Sequence, residues 1–563
     1  MDFDLLIRGG ELIDGSGAPA RRADLGLRDG RVAAVAADLA GDAERVIDAD
    51  GRTVAPGFVD IHTHYDAQVF WDRMLTISPW HGVTTVVAGN CGFGIAPTRP
   101  EHRDLILRTL ENVEGMSIDA LREGVGAEWP FETFPEFLDA IEARGTAVNF
   151  AALVGHTPLR LYAMGEDATE REATPEEIDV MRAIVAEALA AGAVGFATSR
   201  APTHVGYEGR PVPSRAAADP EIAALVGCLG ESGHGVFQAT VGKGLFLDQF
   251  DAFARATGKP VTWTALLGGM FGPEGHRGIL EKCAKYQEAG SAVWPQVSCR
   301  PLMTEYQMKA PFPYQSLAIF EPVSAADHAG KKRIYADPDF RAAFREQATR
   351  GLLSGAWEHT WISDAPGHPE LVERTVADVA SERGVAPEDL VLDLSLESDL
   401  AARFRVAVAN TDEGIVGELL THEASMLGLS DAGAHASQLC DACAPTHLLG
   451  HWVRERGIMP LEEGVRRLTS QPAEIFGLTD RGRLAPGMGG DVTIFDPATV
   501  GCSPLRRVHD FPAGADRLVS DATGIHAVVV NGAVLREDGE DRVAADGPLP
   551  GRVLRGGRLP AAG

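Results

Sequence analysis

Two histidines one residue apart end an apolar run in FVDIHTHYDAQ, residues 58–68. If the run is a strand, His62 and His64 point the same way, because strand side chains alternate with period two. Such an imidazole pair suits a metal like zinc. Two other stretches hold groups of the same chemistry. In GNCGFG, residues 89–94, Cys91 lies among glycines where backbone can come close to a ligand, and a thiolate binds zinc strongly. In GLSDAGAH, residues 428–435, Asp431 could ligate a metal and act as general base on its water, with His435 four residues further on. Each has a plainer reading: a chance pair, a small buried cysteine, a turn aspartate before glycine. Cys440 and Cys443 have CxxC spacing, but without a second pair or a thioredoxin-like context the plainer reading is preferred.

The elements that would position these groups are short apolar runs. They are FVDIHTH (58–64), TTVVAGNC (84–91), NFAALVGH (149–156), GAVGFATS (192–199), GVFQAT (235–240), PVTWTAL (260–266), AVWPQVS (292–298) and ASMLGLSD (424–431). Helical patterns such as TPEEIDVMRAIVAEALAAG separate most of them. Eight runs alternating with helices predict an α/β chain, a (β/α)8 TIM-like barrel, with a doubly wound open sheet as the alternative. Barrel chemistry gathers where strands end, and the polar residues do fall late in their runs. Both chain ends read as β-like pieces broken by Gly and Asp. Residues 1–57 and 480–545 are therefore expected to form one small β-sandwich domain around a barrel spanning 58–479. The stretch 300–420 exceeds a normal βα connection and should hold a lid or subdomain. Residues 546–563 read as a tail.

Bulk composition narrows the function. With 80 acidic against 51 basic side chains, the net charge is −29. That opposes nucleic acid and anionic membrane partners. No apolar run approaches the ~20 residues that span a bilayer. The start MDFDLLIRGGELIDG does not read as a secretory signal, and seven cysteines, an odd number, fit a reducing cytoplasm better than a disulfide framework. A homo-oligomer is compatible with this composition.

The DIHTH run after APG, the SDAGAH run end and the closing GRLAPGMGGDVTIFD resemble the metal-dependent amidohydrolase superfamily. GNCG, LVGHTPLR and GAVGFATS narrow the resemblance to the N-acyl-D-amino-acid deacylase (D-aminoacylase) group, over residues 3–540. The resemblance implies a distorted (β/α)8 barrel with a β-sandwich built from both termini. It also implies that His62, His64 and Asp431 share one metal position, and that Cys91 belongs to a second, tightly bound zinc completed by histidines of strands five and six. Here the chain departs. The fifth run reads VFQATVG, with Gln238 near the place of the histidine, and the sixth reads VTWTALLGG, with no His or Lys near Ala265.

The expectation is therefore a hydrolase of amide C–N bonds in a small N-acyl amino acid-like substrate, holding one metal, zinc or another divalent ion. His62, His64 and Asp431 would bind it, with Cys91 as a further ligand. Asp431 would be general base and acid. His156, ending the third run, and His435 would contact the oxyanion or leaving group; His204 is a further histidine that could reach the mouth, whereas His234 precedes its run. Gln238 is a poor zinc ligand and reads as a substrate hydrogen-bonder. Arg200 and Arg300 follow their runs and are candidates for pairing a substrate carboxylate. The alternatives are a cyclic-amide hydrolase of hydantoinase type and a degenerate barrel that only binds a small molecule.

Overall fold

A computed structural model describes residues 2–206, 209–314, 317–348 and 356–556. Eight short strands form one parallel sheet: β1 (Phe58–Asp60), β2 (Val83–Ala88), β3 (Asn149–Gly155), β4 (Gly195–Ser199), β5 (Val236–Thr240), β6 (Val261–Thr264), β7 (Val293–Val297) and β8 (Met426–Leu427). Their order in the sheet follows their order in the chain. Nearly every residue in them is buried, as expected for strands covered on both faces. This is the expected (β/α)8 barrel.

Strand alternation divides the barrel into two packing layers. Val59, Ile61, Val87, Ala151, Leu153, Ala197, Val236 and Met426 face inward and pack together. Their sequence neighbours, such as Val86, Phe150, Phe196 and Phe237, face outward into the layer shared with the helices. The helix Pro175–Ala191 is typical of that outer ring. Thr174 caps it by accepting from the Glu177 N–H, and Glu177 reaches back to the Thr174 N–H. This capping box satisfies two otherwise orphaned donors.

The barrel closes between its first and last strands. Thr63 bridges Ala432 in parallel sense. The His64 N–H donates to the Ala432 carbonyl at 2.8 Å, and Ser430 Oγ donates to the His62 carbonyl at 2.9 Å. Gly433 completes this seam at φ +89°, with its backbone so close that a Cβ would lie 2.8 Å from the His64 carbonyl oxygen.

Both chain ends join a nine-stranded sheet, in which Thr53–Pro56 pairs antiparallel with Val492–Phe495. Phe3–Leu12 pairs along both edges, with Arg21–Arg28 on one side and with Ala43–Asp48 and Thr53–Pro56 on the other. The strands therefore form one continuous sheet around a shared core that includes Leu5, Ile7, Leu25, Ile494 and Val529.

The long segment after β7 builds a three-stranded antiparallel sheet from Leu302–Gln307, Thr360–Asp364 and Arg403–Ala409. It has its own core, including Tyr306, Phe344 and Phe404. The sheet's other face carries Glu305, 2 % exposed, which accepts from Arg507 at 2.6 and 2.8 Å and from Arg403 at 3.0 Å. These ion pairs clamp the subdomain to the strand Arg506–Val508. Residues 315–316 and 349–355 of the expected 300–420 insertion, and 557–563 of the tail, lie outside the described residues. Among the described residues no helix is long and apolar enough to cross a membrane.

The seam can be tested at Gly433. An alanine in this left-handed conformation costs roughly 1–2 kcal/mol before any clash. Hydrogen exchange at the His64 amide should accelerate about tenfold or more in Gly433→Ala. An unchanged exchange rate there would show that the closing contact does not depend on this glycine.

Candidate metal centre

The histidine pair lies just beyond β1 rather than within it. The strand stops at Asp60, whose Oδ1 accepts from the His62 N–H at 3.2 Å. Seam contacts then hold the HTH segment, and the two imidazoles sit with centroids 5.4 Å apart. Each ring has a polar group behind it, hydrogen-bonded for His62 and in ion-pair range for His64. His62 Nδ1 is 2.7 Å from Gln296 Oε1, and Gln296 Nε2 donates to Thr262 Oγ1 at 3.2 Å. His64 Nδ1 lies 3.0 Å from Glu114 Oε1, at the end of the helix Arg103–Glu114. Because Gln296 Oε1 can only accept, His62 carries its proton on Nδ1 when neutral and leaves the Nε2 lone pair free.

Both Nε2 atoms point at one place. Asp431 Oδ1 is 3.2 Å from His62 Nε2 and 3.7 Å from His64 Nε2, and Cys91 Sγ is 3.4 Å from His62 Nε2. One donor atom from each of His62, His64 and Cys91 lies within 4.8 Å of the other two. A tetrahedron with metal bonds of ~2.0–2.3 Å has edges of roughly 3.3–3.8 Å. The spacings around His62 and Asp431 match those edges, and imidazole, thiolate and carboxylate are zinc-type donors. His62, His64 and Cys91 therefore fit a single metal ion, with Asp431 lying against the two histidines.

The GNCG turn explains how Cys91 arrives. Gly89, at φ +84°, passes so close to β3 that a Cβ would sit 2.2 Å from the Leu153 carbonyl. Asn90 Nδ2 donates to the carbonyls of Val87 at 2.9 Å and Ile61 at 3.2 Å, tying the ends of β1 and β2. The Cys91 N–H donates to Gln238 Oε1 of β5 at 2.7 Å. The turn thus lies across the barrel mouth with its thiol over the histidines.

The charges are mutually dependent. Burial alone would push the Cys91 thiol up, but His62 and His64 outweigh it and bring the group down to about 6. Burial opposes protonation of His64, yet Glu114, Asp431 and Cys91 together raise its pKa well above the ordinary value. His62 is raised in the same way by Cys91 and Asp431. Asp431 is held below the usual carboxylate range despite its burial, through His64, His62 and His435. Such a cluster of buried acids and bases stores charge that a cation can replace.

Several expected site residues are elsewhere or already engaged. His156 follows the inward-facing Gly155 of β3 and so turns outward, between barrel and helices. Its Nδ1 is 2.7 Å from Thr198 Oγ1 and its Nε2 is 2.8 Å from Glu221 Oε1. Both ring nitrogens are used, which corrects the expectation that His156 serves the mouth. Arg200 likewise turns outward after Ser199. It bonds Asp219 and the Ala217 carbonyl, each at 2.6 Å, and is not free to take a substrate carboxylate. Arg300 is bound to Asp441 at 2.5 Å and is equally committed. His435 follows Asp431 on the loop after β8, its Cα beside Gly115 at the end of the helix that carries Glu114. Gln238 is buried beside Cys91, and neither Thr262 nor Thr264 of β6 offers a ligand of the type the resemblance expects.

Glu114, Gln296 and His204 complete the surroundings. His204 Nδ1 is 2.6 Å from Ser199 Oγ, its ring packs on Phe93 at 5.0 Å, and burial lowers its pKa to about 4. Gln296 had a usable signal, a polar residue at an inward position of strand seven. Glu114 had none, because a helix brings it from outside the barrel runs. His234 lies at the opposite end, on the wall of a cavity of 1110 Å³ also lined by Lys259, Phe476 and Arg555.

Carboxylates behind ligand histidines strengthen and orient them. Glu114→Gln, which keeps the size and removes the charge, should weaken zinc binding about 10–100-fold in a chelator competition. Equal affinity would reduce Glu114 to a packing residue.

The sequence and fold have relatives. The family model described as "Amidohydrolase family" matches residues 45–536. A D-aminoacylase of Alcaligenes xylosoxydans xylosoxydans is 32% identical over 98% of this chain and 97% of its own length. A crystal structure of D-aminoacylase superimposes with a TM-score of 0.68 at 29% identity, covering 98% of this chain and all of that one. The N-acyl-D-glutamate deacylase from Bordetella bronchiseptica, solved with zinc and a phosphonate that mimics the tetrahedral intermediate, gives 0.66 at 28% identity, covering 99% of this chain and all of that one. With the HTH pair, the GNCG turn and Asp431 converging at the mouth of such a barrel, this chain belongs to the amidohydrolase family.

Proposed function

We propose that the protein is a zinc-dependent hydrolase of the amide C–N bond in a small N-acyl amino acid-like substrate, working with one metal ion. The observation that carries this reading is the grouping of the His62, His64 and Cys91 donors within 4.8 Å of one another at the barrel mouth, with Asp431 Oδ1 3.2 Å from His62 Nε2. Zinc held there would lower the pKa of a water and polarise the scissile carbonyl. The chain supplies the rest. Asp431 takes the proton of the attacking water as the C–O bond forms, then delivers it to the departing nitrogen as the C–N bond breaks. At 18 % side-chain exposure it is the most open of the four groups, which suits a proton carrier. His435 stands on the same mouth loop to meet the leaving group or substrate.

The one-metal reading is supported by the lack of a second donor set among the described residues. Gln238 and Thr264 occupy the inward positions where a further pair of ligands would come from β5 and β6. The relatives act, by their names, on N-acyl-D-amino acids, and this is the starting substrate class. The loss of Arg200 and Arg300 as free cations leaves its carboxylate recognition to other groups. A reducing cytoplasm fits seven unpaired cysteines, one of them a proposed metal ligand.

The purified protein should hold about one zinc per chain after loading, and should hydrolyse at least one amide in a screen of N-acyl-D- and N-acyl-L-amino acids and cyclic amides. Less than one equivalent of metal together with no hydrolysis of any amide would defeat the hydrolase reading. About two tightly held zincs would defeat the one-metal version. Asp431→Asn should lower kcat by a factor of about 10²–10⁴. Retained activity in that variant would remove Asp431 as the proton carrier.

A further inference from the structure

Gln238 sits at an inward position of β5, fully buried, two residues beyond Val236 of the inner layer. Its Oε1 accepts from the Cys91 backbone N–H at 2.7 Å. A backbone N–H can only donate, so the orientation of the amide is fixed: turning it over would set two donors against each other at the same distance. The –NH2 end is therefore held facing away from the Cys91 backbone. That Nε2 has no protein partner among the described residues. A buried donor without an acceptor is costly, and a flip offers no escape.

The orphan donor is next to the reacting centre. Its own carbonyl grips the residue whose Sγ is 3.4 Å from His62 Nε2. Across the sheet Gln238 registers with Thr262, which supports Gln296 and through it His62. The same side chain thus positions one proposed ligand with its oxygen and holds two N–H groups without a protein acceptor at its nitrogen. A preoriented neutral donor in a water-poor site is the kind of group that stabilises developing charge.

We propose that Gln238 is a catalytic residue whose Nε2 donates a hydrogen bond to the carbonyl oxygen of the scissile amide and stabilises that oxygen as the carbon becomes tetrahedral. This rests on the hydrolase reading above. It assigns to Gln238 an oxyanion-stabilising role and no metal-ligating one.

Gln238→Glu separates the two ends of the side chain. It keeps an oxygen for the Cys91 N–H and replaces the donor by an acceptor. Gln238→Met removes the donor without adding charge. Three readings are compared with wild type: kcat and KM on an N-acyl amino acid that wild type hydrolyses, affinity for a phosphonate analogue of an N-acyl amino acid, and zinc affinity by chelator competition. Both variants should lose about 10²–10³-fold in kcat, with KM changed by no more than about threefold. Phosphonate affinity should fall by a similar factor, and zinc should bind Gln238→Glu at least as tightly as wild type. The proposal is overturned if either variant keeps kcat and phosphonate affinity, if wild type does not bind the phosphonate, or if activity falls only in step with zinc loss. Wild type that hydrolyses no amide yet binds the phosphonate in a Gln238-dependent manner would remove the hydrolase reading and leave the donor role standing. Hydrolysis that is indifferent to Gln238 would do the reverse.

Discussion

The site depends on one backbone contact, the closure of the barrel between Thr63 and Ala432. Strand β1 has already ended when the chain reaches His62, so strand pairing alone does not aim the histidines. The seam does. The His64 N–H to Ala432 carbonyl bond and the Ser430 hydroxyl on the His62 carbonyl lock two segments that are some 370 residues apart in sequence. Asp431 is carried between those contacts, so the geometry that closes the fold also brings the carboxylate to the imidazoles. A barrel that failed to close would have neither.

Around this seam three of the four donors have a polar group packed against them. Gln296 sits behind His62, Glu114 behind His64, and Gln238 beneath the Cys91 backbone. Long-range packing supplies all three, from strand seven, from a helix after strand two, and from strand five. Rigidity at the centre therefore comes from the whole circumference of the barrel, as preorganised sites require. The cost is a set of buried charges that balance one another only as a group.

Much of this was legible in the sequence. Eight apolar runs, the HTH pair, the GNCG turn and SDAG were visible because each is local: a few consecutive residues carry both the chemistry and the backbone conformation. Two of the errors share one physical cause. His156 and Arg200 each stand one residue past the last inward-facing position of a strand, and a shift of one residue reverses the face. Proximity to a strand end is readable from composition, but its parity needs the register of the barrel. Glu114 was invisible for a different reason: nothing local distinguishes a helix-end glutamate bound for a metal centre from one bound for water. Arg300 is held by Asp441, and a competing partner 141 residues away leaves no trace nearby.

The same two-faced layering bears on how this protein could acquire new substrates. Inward positions at the strand ends, among them Ser199, Thr240, Thr264 and Ser298, are small hydroxyl residues that belong to no core cluster. Outward neighbours such as Thr198 and His156 are woven into the helical layer. Variation is thereby channelled: the inward half of the rim can drift toward another leaving group or acyl chain at the cost of local hydroxyl bonds such as Ser199 to His204 and Thr264 to Thr240, while the outward half is bound to the scaffold. An experimenter building a library would do well to follow that partition, since diversity placed on the wrong alternate residue would sample unfolded proteins rather than new pockets.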